Sequence, residues 1–162
     1  LRQLALNDLT PTVRTSAISA ICVSPNRYAA RLMREIVLND KSDEVRAFAL
    51  RSLFSIPRVN KRSVCNLLMG IANSESEVPV IRAYAIEGLG YLYDNRALNL
   101  VITEINNPFP GIRYMCVYAL GRLGTSLHLP LLESRINDKE VFNDWGTVAG
   151  ATKAAIREIG QK

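Results

Sequence analysis

The chain has 162 residues, 48% hydrophobic and 22% charged, the balance of a globular domain and not of a disordered or fibrous segment. No apolar run approaches the roughly 18 residues of a membrane span, and the opening LRQLALND has no signal-peptide pattern. A net charge of +5 and a pI of about 9.3 admit an acidic partner without demanding one.

The first predicted element is a short helix over LRQLALND, about half the length of its later counterparts. A polar corner follows, in which Thr10 is placed to cap a second helix opening on Pro11, where proline's missing N–H costs little. Residues 24–57 repeat the plan: an amphipathic helix over RYAARLMREIVL, a corner at Asn39 and Asp40, and a helix capped by Ser42. Asp43 and Glu44 suit the positive end of that helix. Residues 58–93 give a third pair, RSVCNLLMGIA and VIRAYAIEGL, around an enlarged corner, SESEVP. Residues 94–124 give a fourth, with Pro110 near the start of its second helix. Residues 125–162 give a weaker fifth, with about five inserted residues in NDKEVFNDWGTVAGA and Ala149 where the other copies have Arg.

Two markers count the repeat. Taking the Val or Ile that starts each second helix as position 0, positions 0, +4 and +8 read Val13, Ala17, Ile21; Val45, Ala49, Leu53; Ile81, Ala85, Leu89; Ile112, Cys116, Leu120; and Val148, Thr152, Ile156. Successive copies are 32, 36, 31 and 36 residues apart. The corner asparagines, Asn7, Asn39, Asn73, Asn106 and Asn137, recur at 32, 34, 33 and 31. Self-similarity at this period means stacked helical pairs. Offsets of four and eight fall on one helical face, and small residues at +4 and +7 allow close layers. The fold expected is all-α, a right-handed α-α superhelix (solenoid) of about five stacked pairs. Its units are 1–23, 24–57, 58–93, 94–124 and 125–162. The abbreviated first helix implies that this repeat domain is part of a longer array, whose missing upstream cap would leave apolar surface exposed.

NDKSDEVRAFAL and NNPFPGIRYMCVYALGRLG resemble HEAT and HEAT-like repeats, especially the phycobilisome-lyase type, over nearly the whole chain. The resemblance implies that the second helix of each pair lines a concave face. It is weakest in the third and fifth copies, and armadillo repeats fit less well because their third helix is not visible.

The Arg at +1 recurs as Arg14, Arg46, Arg82 and Arg113. Asp8, Asp40 and Asn107 lie six residues before three of these, so a carboxylate or carbonyl across the corner is the expected partner and the ladder reads as structural. His128, the only histidine, has no ligand at metal spacing. No His-Glu dipeptide supports an iron site like that of the HEAT-like deoxyhypusine hydroxylases. Cys65 and Cys116 read as core and Cys22 as a helix-end thiol without a histidine to activate it. No nucleophile elbow, P-loop or dinucleotide fingerprint occurs. The expectation is a protein with no catalytic site, metal or cofactor. Three cysteines without C-x-x-C spacing suit a reducing, cytoplasmic setting.

Once the core positions are assigned, the outward stripe of the second helices offers Arg51, Arg58, Glu87, Tyr91, Tyr114, Tyr118 and Arg122 as the partner-binding residues, because Tyr and Arg dominate interface energetics. Tyr84 reads as packing between second helices. Phe142 and Trp145 lie in the fifth-copy insertion and read as a loop folded back over apolar surface. The function expected is a scaffold that binds a protein or peptide along the concave face. The alternative is a nucleic-acid binder, non-catalytic or similar to the HEAT-like alkylpurine DNA glycosylases, with Glu87 and Asp94 as the available carboxylates. A phycobilin-lyase-type subunit is a third, more remote reading. The stretch between Glu44 and Glu75 is basic, with Arg46, Arg51, Arg58, Lys61 and Arg62. Its thin footprint predicts weak, salt-sensitive nucleic-acid binding at most.

Overall fold

A computed structural model describes residues 1–23, 27–57 and 59–162. They form ten α-helices and no strand among the described residues: α1 (Arg2–Asn7), α2 (Pro11–Cys22), α3 (Arg27–Asn39), α4 (Asp43–Ser55), α5 (Lys61–Ala72), α6 (Pro79–Tyr91), α7 (Leu98–Glu104), α8 (Pro110–Leu123), α9 (Leu129–Glu133) and α10 (Val148–Gly160). The described residues divide into two compact units, Leu1–Asn66 and Leu67–Lys162. Among them, no helix is long and apolar enough to cross a membrane.

In the first unit α1 packs on α2, α3 on α4, and α2 on α4. In the second, α7 packs on α8, α9 on α10, and α8 lies between α6 and α10. Helix pairs stacked through their second helices are the construction of an α-solenoid. The sequence dictates this directly. In α4, Val45, Ala49 and Leu53 have no exposed surface, and Leu50 is equally buried. In α8, Ile112, Met115, Cys116, Ala119 and Leu120 are buried, so this helix is apolar around most of its circumference. Each large aliphatic side chain so covered contributes about 1.5–3 kcal/mol.

Small residues at +7 and +9 set the layer spacing. A Cβ at Gly90 would sit 2.9 Å from the Ala119 Cα, and one at Gly121 would sit 2.8 Å from the Ala155 Cβ. In the first unit Cys22 and Ser52 hold the same two positions and are hydrogen-bonded. Residue +9 of one second helix therefore meets residue +7 of the next.

The corners differ from expectation in one respect. Thr10 and Ser42 occupy the cap positions, yet neither hydroxyl accepts a capping hydrogen bond. The corner carboxylates and amide do the work instead. Asp8 Oδ1 accepts the Thr10 N–H at 2.9 Å, Asp40 Oδ1 that of Ser42 at 2.8 Å, Asn107 Oδ1 that of Phe109 at 2.9 Å and Asp138 Oδ1 that of Glu140 at 3.2 Å. An acceptor two residues upstream is the Asx-turn arrangement, which competes with the cap for the same chain reversal. Pro11, Pro79 and Pro110 each open their helix.

Candidate partner-binding surface

Three of the recurrent arginines, Arg14, Arg82 and Arg113, tie consecutive repeats together. Arg14, 1% exposed, donates to both Asp40 oxygens at 2.8 Å and to the Asp8 carbonyl at 2.8 Å. Arg113 donates to Asp138 at 2.8 Å, to Glu140 at 2.9 Å and to the Asn107 carbonyl at 2.8 Å. Arg82 reaches the Ala72 carbonyl at 3.0 Å and Glu104 at 2.8 Å, while Arg46 donates to the Val37 carbonyl at 2.9 Å and to Asp43. The residue six positions upstream thus supplies its carbonyl to Arg14 and Arg113, and the carboxylate comes from the following corner. Local spacing could not show that, because the carboxylate lies 25 or 26 residues away. The Arg113 guanidinium holds Asp138 below the usual carboxylate range, and Asp138 in turn raises Arg113.

The outward residues fare differently. Arg51 is exposed on α4 and borders a cleft of about 330 Å³ with Cys22, Phe48 and Ser52. Arg58 lies outside the described residues. Glu87 is only 7% exposed and so is not presented on an open face. The glycine contact at Gly90, one turn further along α6, brings α8 close enough to cover it. Tyr114 is also removed from the open stripe. Its hydroxyl donates to the Trp145 carbonyl at 3.0 Å, its ring centre lies 6.1 Å from those of both Phe142 and Trp145, and burial raises its pKa.

The cover is the fifth-copy loop. Phe142 is 3% exposed and seats against Tyr84, Phe109 and Tyr114, with ring centres 5.8–6.1 Å apart. The loop closes through Phe142 N–H to the Gly146 carbonyl, at 3.0 Å. Gly146 has φ of 102°, a backbone conformation that favours glycine. Trp145, 36% exposed, stands at the loop's outer edge. Tyr84 accordingly packs on this loop, a contact that helical periodicity alone does not reveal.

At the other end of α6 and α8 the surface is open. The Arg122 guanidinium lies 4.4 Å from the centre of the Tyr93 ring and 5.7 Å from that of Tyr118. It donates to the Gly90 carbonyl at 3.3 Å and to the Tyr93 hydroxyl, and faces Glu158 at 3.6 Å. Burial raises the Tyr118 pKa, while Arg122 lowers it. Tyr91 and Tyr93 are 46% and 53% exposed. Tyr93 has φ of 54°, a left-handed conformation that costs a non-glycine residue of order 1–3 kcal/mol. It was missed at the sequence level because it follows the helix, outside the periodic stripe. The Lys162 ammonium completes this end, donating to the Gly121, Arg122 and Gly124 carbonyls at 2.7–3.0 Å.

Among the described residues, no group of three metal-ligating side chains comes together. Asp94 is 8% exposed and bound to Arg96 at 2.6 Å. His128 Nδ1 accepts the Thr125 N–H at 3.0 Å within a turn.

Residues 71–145 match the family model of HEAT repeats. That stretch carries HEAT repeats. The matched span runs from α5 to the fifth-copy loop, taking in α6, α8 and the covered part of their surface. HEAT repeats commonly serve as protein-interaction scaffolds. No curated protein matches the chain.

Proposed function

We propose that the protein is a non-enzymatic HEAT scaffold that binds a protein or peptide through Tyr91, Tyr93, Tyr118 and Arg122. The observation that supports this reading is Arg122 held against two tyrosine rings, with its guanidinium anchored by the Gly90 carbonyl and Glu158. Side chains fixed in advance lose little conformational freedom on binding, so more of their contact energy survives as affinity. Cation–π stacking keeps an arginine flat against an aromatic platform, and the exposed tyrosines beside it supply wide contact area with polar tips. The basic balance of the chain suits an acidic partner segment. Its reduced cysteines suit the cytoplasm.

The nucleic-acid reading is weaker. Glu87 is buried and Asp94 is committed to Arg96, so neither carboxylate stands ready beside an open aromatic surface. The discriminating experiment pairs partner capture, with and without nuclease, with duplex-DNA titration at several salt concentrations. Tyr118→Ala and Arg122→Ala should each weaken nuclease-resistant capture by about 1–2 kcal/mol, as hot-spot residues do. Tight DNA binding that survives 200 mM salt, with capture indifferent to both substitutions, would overturn the proposal.

A further inference from the structure

The two compact units differ in charge. Leu1–Asn66 carries eleven Lys and Arg against five Asp and Glu, a net +6, and Leu67–Lys162 carries nine against ten, a net −1. In the second unit four arginines meet carboxylates of their own: Arg82 holds Glu104, Arg96 holds Asp94, Arg113 holds Asp138, and Arg122 faces Glu158. In the first unit carboxylates are in short supply. Asp40 is taken by Arg14, Asp43 by Arg46 and Glu35 by Arg2. No acidic residue occurs at 9–34 or at 45–74, so the start of α3, the end of α4 and all of α5 are without one.

The cations of α3 and α5 come together. Arg34 donates to the Ser63 carbonyl at 3.2 Å and to the Ser63 hydroxyl at 3.1 Å, which sets α3 against the first turn of α5. Arg31, one turn earlier on α3, is exposed, and so are Lys61 and Arg62, the two residues before Ser63. None of these three has an ion pair among the described residues. Tyr28, 50% exposed, lies one turn before Arg31. Like charges on adjoining turns repel, and an anionic ligand relieves that repulsion.

We propose that the meeting of α3 and α5 is a second docking surface, which takes an Asp- and Glu-rich polypeptide segment. It extends the scaffold reading above and rests on it only in taking a polypeptide as the partner. Charge complementarity sets the sign of the occupant. The compactness of the patch sets its kind, because Arg31, Arg34, Lys61 and Arg62 form a cluster and not a long track. Duplex DNA held through about four phosphates loses roughly 100-fold in affinity between 50 and 200 mM salt. A flexible acidic segment brings its carboxylates one by one to the guanidinium forks and can lay an apolar side chain on Tyr28. Arg34, already positioned by Ser63, has less freedom to lose on binding.

The test titrates the full chain with a fluorescent oligoglutamate peptide, read by anisotropy. Arg31→Glu with Arg62→Glu should weaken binding about tenfold or more, and Arg31→Gln with Arg62→Gln by less. The control, Lys153→Glu with Arg157→Glu on exposed positions of α10, makes the same change in net charge. It should cost less than about twofold, since salt screens charges beyond a Debye length. All three pairs are exposed and should leave the Tm within about 2 °C of the parent. Equal loss in the control and the α3–α5 pair would reduce the effect to net charge and overturn the proposal. So would a parent chain that does not bind the peptide. Duplex DNA or phosphatidylserine vesicles held more tightly than the peptide at 200 mM salt, through the same two arginines, would make a different polyanion the occupant and also overturn it. The tyrosine surface is read separately, by partner capture. Capture indifferent to Tyr118→Ala and Arg122→Ala, beside peptide binding that still needs Arg31 and Arg62, would remove that surface and support this one.

Discussion

Arg14→Ala is expected to be among the most damaging single changes in the first unit. Arg14 is 1% exposed and its partner Asp40 has a side chain only 5% exposed. Truncation leaves the Asp40 carboxylate with the Ser42 N–H as its remaining hydrogen bond, and leaves the Asp8 carbonyl without its 2.8 Å donor. Breaking a buried pair from one side costs about 3–5 kcal/mol. At 2–4 °C per kcal/mol for a chain of this length, the Tm should fall by about 6–20 °C. Arg51→Ala, on the exposed side of α4, should change stability by less than about 0.5 kcal/mol. Thermal unfolding followed by circular dichroism reads both. The double variant Arg14→Met/Asp40→Leu sharpens the argument, since an isolated ion pair replaced by apolar side chains is often neutral. Here it should remain destabilised by about 2–5 kcal/mol, because the Ser42 N–H and the Asp8 carbonyl both lose partners. A double variant as stable as the parent would show that Arg14 and Asp40 serve only each other. An Arg14→Ala protein melting with the parent would refute the structural reading of the ladder altogether.

Gly111→Ala places a Cβ 2.5 Å from the Phe142 ring and 2.7 Å from Phe109. It should unseat the loop at a cost of about 1–3 kcal/mol and shift the emission of Trp145, the only tryptophan, to the red. Gly121→Ala meets the Ala155 backbone at 2.9 Å. Backbone yields less than a ring, so a similar loss of about 1–3 kcal/mol should appear in urea unfolding. Because Arg113 lowers the pKa of Asp138, its contribution is complete above the ordinary carboxylate pKa and disappears as pH falls through the lowered, folded-state value. Asp138→Asn should therefore flatten the acid limb of the stability profile below about pH 4; an unchanged limb would remove Asp138 from acid unfolding.

The helical pairs were legible because position 0 and the corner asparagine are local signals repeated five times, and periodicity places Val45, Ala49 and Leu53 on one buried face. The small residues at +4 and +7 were legible for the same reason. What the sequence hid is contact between separate copies. Glu87 looks outward by its offset, but the closeness of α6 and α8 that covers it depends on Gly90 meeting Ala119. Tyr114 has the offset of an open groove residue and is covered by a loop nearly thirty residues downstream. Tyr93 lies past the end of α6, where periodicity stops, and only the position of Arg122 reveals its place in the surface. A glycine just before position 0, at Gly111, was the available hint that a ring must come close.

The double duty of the corner aspartates bears on how the protein comes apart. Asp40 shapes its own corner through the Ser42 N–H and clasps Arg14 from the repeat before it, and Asp138 does the same with the Glu140 N–H and Arg113. A chain reversal and a grip on the neighbouring pair thus share one carboxylate. Fraying that corner releases the neighbour's arginine, and pulling the neighbour away loosens the corner. In a one-dimensional stack, where each repeat feels only those beside it, such shared groups strengthen the nearest-neighbour coupling relative to the intrinsic stability of each repeat. Within each unit, loss of order should therefore advance through whole helix pairs in sequence, with single turns seldom melting alone.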